Sequence, residues 1–209
     1  MSNDYINDEN IKSCIILCGG KSSRMGQDKG SMIIQKKPMI KHILSTLNHH
    51  INEVIIVLND SSRIGRYQEF INPKDYDYTL TFVEDRIKNK GPMPGILTGL
   101  GEISDNYALV LPCDSPYVSK NYIDTIFKEI DDNYQAIVPY HDESNRLKTS
   151  EPLHSIYNKN IMPEIEELIA DDVLHIKGLI EKIDAKFVLI DNKKIEKKEF
   201  RNLNRPEDV

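Results

Sequence analysis

The sequence predicts an α/β fold, a single domain built on a doubly wound, mostly parallel sheet with helices on both faces. Three observations carry this. Short unbroken Val, Ile and Leu runs recur at 13–17, 53–58 and 107–111, as strands buried on both faces require. Helix-length amphipathic segments separate the runs, which is the alternation of a βα sheet. Each run ends at Gly, Asn or Pro, residues that turn the chain at a strand's carboxyl end.

Taken in order, a polar segment at 1–11 precedes the domain expected over 12–209. The strand at 13–17 stops at Gly19 and Gly20. Pro38 suits the first turn of a helix running to about His49, with Ile40, Ile43, Leu44 and Leu47 on one face. Strands follow at 53–58 and 79–83, then a helix at 94–100 and a strand at 107–111 halted by Pro112. Ser119 is a fitting N-cap for a helix to Ile130. A strand at 136–139 and a candidate strand at 153–157 come next, then helices from Ile161 and Leu174 and a strand at 187–190. The lysine-rich stretch 193–198 reads as solvated surface, and there is no internal repeat or low-complexity tract.

Composition narrows the function. With 209 residues, 39% of them hydrophobic, the chain can bury one sizeable core. A net charge of −6 argues against nonspecific nucleic acid binding, so any phosphate recognition must be local. Cys14, Cys18 and Cys113 are odd in number, lie in or beside apolar runs and show no C-x-x-C spacing. They suggest neither a disulfide framework nor a zinc site, and read as reduced core residues. The first residues lack a basic-then-apolar signal pattern, and no apolar run approaches the roughly 18 residues of a membrane span. The expectation is a cytoplasmic protein with neither nucleic acid nor membrane as partner.

In a doubly wound sheet, ligands lie beyond the carboxyl ends of the strands, so residues just after each strand come first. Segment 18–29 (C-G-G-K-S-S-R-M-G-Q-D-K) packs three glycines, two serines, one arginine and two lysines into twelve positions. Gly19 and Gly20 can let backbone N–H groups approach an anion, while Arg24 and Lys29 can neutralise a polyphosphate. Neither the P-loop pattern nor G-x-G-x-x-G is met, and the glycines alone also suit an ordinary βα turn. Asn59 and Asp60, Glu84 and Asp85, and Asp114 follow later strands and point to the same sheet edge. Mg²⁺ is typically held by one or two carboxylates together with substrate phosphates, and Asp114 is the candidate. Taken alone, Asp114 could equally start a turn ahead of Ser115-Pro116. His49 and His50 adjoin but follow an amphipathic helix with no zinc-like partners, and no G-x-S-x-G elbow occurs.

Leu17-Cys18-Gly19-Gly20, Arg24-Met25-Gly26 and Asp28-Lys29 resemble, without a gap, the signature of transferases that couple a nucleotide to a phosphate ester. Within that superfamily the string is most similar to the molybdenum cofactor guanylyltransferases. Pro112-Cys113-Asp114-Ser115-Pro116 resembles their P-C-D-x-P segment, Gly91-Pro-Met-Pro-Gly95-Ile96 their G-P-L-x-G-I, and the run from Asn202 through Asn204 to Asp208 their N-x-N-x-P-E-D. Glu151-Pro152-Leu153 is similar to a segment lining the acceptor side. The likeness runs from about Lys12 to Asp208; Cys18 departs from it, since alanine is commoner there.

The resemblance implies a Rossmann-like domain of the nucleotide-diphospho-sugar transferase fold. It implies nucleotide contacts from Leu17, Cys18, Gly19, Gly20, Lys29, Asn59, Asp85, Gly91, Gly95 and Asp114. Mg²⁺ would sit on Asp114, with Arg24, Lys29 and Asp114 as the catalytic set, and Asn202 and Asn204 would face the acceptor. The implied reaction moves GMP from GTP to the terminal phosphate of molybdopterin, or its molybdenum-loaded form, releasing pyrophosphate. Other cofactor-biosynthesis proteins and the recipient molybdoenzyme are implied partners. Alternatives of the same fold are a molybdopterin cytidylyltransferase, a sugar-phosphate nucleotidyltransferase and a 2-phospholactate guanylyltransferase; a non-catalytic nucleotide or pterin binder is a different class. The compact length and the lack of a left-handed β-helix repeat favour the molybdopterin enzyme. The choice between GTP and CTP rests on loop geometry that one sequence does not define.

Overall fold

The structure, a computed structural model, describes residues 12–19, 28–88, 90–191 and 194–203. The apolar runs form strands. β1 (Ser13–Cys18) is buried along its whole length. A small hairpin, β2 (Ile33–Ile34) and β3 (Lys37–Pro38), leads into α1 (Met39–Leu47). Next come β4 (Glu53–Leu58), α2 (Ser61–Phe70), β5 (Thr79–Glu84), α3 (Met93–Glu102) and β6 (Tyr107–Pro112). The second half holds α4 (Lys120–Phe127), β7 (Ala136–Tyr140), β8 (Ile156–Asn158), α5 (Met162–Ala170), α6 (Ile176–Lys182) and β9 (Ala185–Leu189).

Seven strands form one sheet in the order β5-β4-β1-β6-β8-β7-β9. All run parallel except β8, which is antiparallel to both β6 and β7. From β1 the chain winds outward to β4 and β5, then returns to place β6 on the other side of β1. That reversal sets a switch point between β1 and β6, where a crevice opens at the strands' carboxyl ends.

Successive strand side chains point to opposite faces, and each face has its own core. Ile16, Val54 and Leu109 meet Ile40, Ile43 and Leu47 of α1, Tyr67 of α2 and Ile123 of α4. On the other face Ile15, Ile55 and Val110 meet Ile96 and Leu100 of α3, Ile165 of α5 and Leu179 of α6. The fold is thus doubly wound, as expected. Each of these large aliphatic side chains contributes roughly 1.5–3 kcal/mol by leaving water.

The departures have physical causes. α1 ends at Leu47 rather than near His49, because Asn48 already turns out of the helix at ψ 134° and His49 follows at φ 66°. Ser119 does cap α4, accepting from Tyr122 N, but that helix ends at Phe127, short of Ile130. The candidate strand at 153–157 splits into a 3₁₀ turn, Pro152–His154, and the reversed β8. α6 opens at Ile176 rather than Leu174, and β9 lies two residues earlier at its start than 187–190. In 193–198, Lys194, Lys197 and Lys198 are exposed, but Ile195 is buried in the core. The 3₁₀ turn Lys197–Phe200 that follows anchors the chain through buried Glu199, which accepts from Ser119 N at 3.0 Å. The hairpin and α2 were not expected at all.

Candidate active site

Register explains why residues distant in sequence share one edge. Cys18 pairs with Leu58, Leu58 with Glu84, and Leu17 with Pro112, so the next residues of four parallel strands emerge side by side. These are Gly19, Asn59, Asp85 and the Cys113-Asp114 pair, and all border one cavity of about 460 Å³. Leu17, Cys18, Lys29, Gly91, Gly95 and Asn202 line the same cavity, so ten of the expected residues converge. Gly20, Arg24 and Asn204 lie outside the described residues.

At the mouth of β6, Lys29 Nζ donates to Asp114 Oδ2 at 2.8 Å. The Asp114 carboxylate is largely covered, at 11% side-chain exposure, and the charge-assisted bond holds it in one orientation. The last described segment closes over it. Leu203 N donates to Asp114 O at 2.8 Å, and Ser115 Oγ donates to Asn202 Oδ1 at 2.6 Å. At β1, a Cβ on Gly19 would come within 2.8 Å of Asn59 Oδ1, so a side chain there would have to displace the Asn59 amide.

Asp85, beyond β5, is buried. Its Oδ1 accepts from Ile87 N at 3.2 Å and from Thr98 Oγ1 at 3.3 Å, and its Oδ2 lies toward Gly95. Burial pushes this carboxyl above the ordinary carboxylate range, with the two hydrogen bonds pulling the other way. Burial, and then the neighbouring Cys113 thiol, push Cys18 well above an ordinary thiol. Cys18 therefore stays protonated and offers small apolar bulk rather than a thiolate ligand.

Two residues that sequence reasoning missed also shape the cavity edge. Arg63 of α2 lines it and holds Asp28 through Nε at 2.8 Å and Nη2 at 2.7 Å, while Tyr67 OH donates to Asp28 at 2.6 Å. The usable signal was the i,i+4 spacing of Arg63 and Tyr67 behind the capping Asp60.

Among the described residues, no group of three or more His, Cys, Asp or Glu side chains could hold a metal ion. Asp114 alone fits a hard cation that completes its shell with phosphate and water oxygens, as Mg²⁺ does. A mainly parallel sheet, a cavity at its switch point and a Lys–Asp pair lining that cavity together point to an α/β protein of the nucleotidyltransferase type.

Comparison with known proteins makes this particular. Residues 14–186 match the family described as the MobA-like NTP transferase domain, and the chain belongs to that family. The probable molybdenum cofactor guanylyltransferase of Methanothermobacter thermautotrophicus is 33% identical over 202 residues, covering 95% of this chain and 98% of its own. That of Flavobacterium johnsoniae is 31% identical over 195 residues, covering 93% and 92%. Among solved structures, molybdopterin-guanine dinucleotide biosynthesis protein A from Archaeoglobus fulgidus superposes with a TM-score of 0.74 at 23% identity, covering 95% of this chain and 94% of its own.

Proposed function

We propose that the chain transfers GMP from GTP to the terminal phosphate of molybdopterin or Mo-molybdopterin, releasing pyrophosphate. The observation that carries this is the Lys29–Asp114 pair at 2.8 Å, set in the switch-point cavity with Asp85 and Asn59 on one side and Asn202 on the other. The relatives named as guanylyltransferases across almost their whole length support the same reading.

Asp114 would hold Mg²⁺, which when bound supplies charge neutralisation and alignment of phosphate oxygens. Lys29 then exchanges its carboxylate partner for a phosphate oxygen, with Arg24 as the second cation. Backbone N–H groups of the loop opened by Gly19 and Gly20 fix the triphosphate. Leu17, Cys18, Gly91 and Gly95 form the floor and wall against which the nucleoside lies. Asp85, which lines the cavity, would accept from the N1–H and N2–H₂ edge of guanine, a donor pair that cytosine lacks. Asn202, which lines the cavity, and Asn204, which lies outside the described residues, would serve the acceptor. The attacking phosphate monoester is already ionised near neutral pH, so no general base is required. Two anions must meet in line, and rigid positive groups supply the stabilisation. Residues 12–209 act as one domain in the cytoplasm, with GTP and molybdopterin as substrates and the later cofactor-handling proteins and recipient molybdoenzyme as partners.

The test is pyrophosphate release from purified protein with molybdopterin and Mg²⁺, comparing GTP, CTP, ATP and UTP. Release with GTP alone, lost about 10²-fold or more in Asp114→Asn, is the expected result. Release with CTP moves the protein to the cytidylyl branch, and an unaffected Asp114→Asn variant removes Asp114 from the metal site.

A further inference from the structure

We infer that Arg63 and Tyr67 are positioning residues which set the place of Lys29 by clamping the side chain next to it, Asp28. The inference rests on the functional reading above and extends it to two side chains that need not touch substrate.

Every acceptor face of Asp28 is engaged. Oδ2 takes Arg63 Nε at 2.8 Å and Nη2 at 2.7 Å; Oδ1 takes Tyr67 OH at 2.6 Å and Gly30 N at 3.2 Å. The pair is shut away from water, with side-chain exposures of 10% for Arg63 and 11% for Asp28. Arg63 and Tyr67 sit one turn apart on the same face of α2, so one rigid element delivers both donors. The Tyr67 hydroxyl also fills the space beside Gly30, where a Cβ would lie 2.3 Å from it. Asp28 in turn caps the 3₁₀ turn Lys29–Ser31, and its carbonyl accepts from Ser31 Oγ at 2.9 Å. Side chain and backbone of residue 28 are therefore both fixed, and the Cα of Lys29 goes with them.

A cluster of this kind is a poor device for stability alone. Withdrawing two charges from water costs several kcal/mol each, and apolar pairs of similar volume commonly do as well or better. What the cluster supplies is geometry. Lysine carries a compact charge on a flexible stem, so its usefulness as a point charge depends on where its backbone is held. The same β4–α2 segment touches the other end of the stretch too, through Asn59 against Gly19. One short piece of chain thus grips the phosphate-binding segment at residues 19 and 28 together.

The test is a double-mutant cycle between Arg63→Met and Lys29→Ala, reading kcat and KM for GTP-dependent pyrophosphate release, GTP binding by calorimetry, and thermal midpoint. Arg63→Met alone is expected to lower kcat/KM tenfold or more in a chain that still melts cooperatively. In the Lys29→Ala background the same change should lower it no further. Tyr67→Phe, which keeps ring and volume, should give a smaller loss that also vanishes once Lys29 is gone, and Arg63→Lys should not rescue, for want of the planar guanidinium fork that meets Asp28 through Nε and Nη2. Should Arg63→Met fail to fold, the Tyr67→Phe arm carries the cycle unaided. Additive losses would make Arg63 a direct phosphate contact and overturn the proposal, as would an unchanged Arg63→Met. If the parent turns over no nucleotide, the functional reading fails, and GTP affinity in the same four chains decides the relay separately.

Discussion

Acid should weaken this fold through one residue, His154. The ring is 2% exposed, and neither ring nitrogen has a hydrogen-bond partner among the described residues. It lies edge-on to Phe200 with centroids 5.2 Å apart, and Phe200 also packs on His141 at 4.8 Å and Tyr122 at 5.0 Å. Burial, and then the neighbouring His141, pull the His154 pKa from 6.5 down to about 3. The unfolded chain takes up this proton as pH falls below its ordinary value, whereas the folded chain refuses it until about 3. Protons therefore favour unfolding throughout that window, and the stability present above pH 6.5 is lost as pH falls. At pH 5 the chain sits about 1.5 units into the window, which at 1.36 kcal/mol per unit comes to roughly 2 kcal/mol. For a chain of this size that is about 4–8 °C in thermal midpoint. Urea unfolding at pH 7 and pH 5, on the parent and on His154→Leu, isolates the term from every other titrating group. The parent should lose about 2 kcal/mol more than the variant between the two pH values. Equal losses in both chains would falsify the assignment of a neutral, buried imidazole.

Two further variants give three expected outcomes. Asp85→Asn should raise stability at pH 7, because burial penalises the ionised carboxylate and lifts its pKa; the gain should disappear in acid, where the parent's carboxyl is also neutral. The same variant should raise KM for GTP and narrow its preference over CTP in the pyrophosphate assay, and an unchanged GTP/CTP ratio would remove Asp85 from base recognition. Gly99→Ala in α3 would put a Cβ 2.5 Å from Ile15 Cγ2, and urea unfolding should report a loss of about 1–3 kcal/mol from forcing α3 off the sheet.

Much of the fold was legible because a strand buried on both faces leaves an unbroken apolar run. The runs at β1, β4 and β6 could be placed to within a residue or two. α2 was not legible, since the face it turns inward carries Arg63 and Tyr67 rather than a stripe of aliphatics. β8 was blurred by Pro152, whose ring belongs to the 3₁₀ turn ahead of it, and nothing local marks its reversed direction. At the site, position just after a strand drew Asn59, Asp85 and Asp114 into view, and the motif resemblance, P-C-D-x-P for Asp114, singled them out. The partners of Asp28 stayed hidden because its bond to Arg63 spans 35 positions and depends on β1 lying beside β4.

The closure of residues 202 and 203 over Asp114 bears on how the protein is made. Ser115 meets Asn202 across 87 positions, whereas every strand of the sheet is complete by Leu189. The sheet can therefore assemble without the segment that brings Leu203 to the Asp114 carbonyl. A product terminated before Phe200 would retain all seven sheet strands yet leave one wall of its cavity unbuilt, a folded scaffold without a finished site.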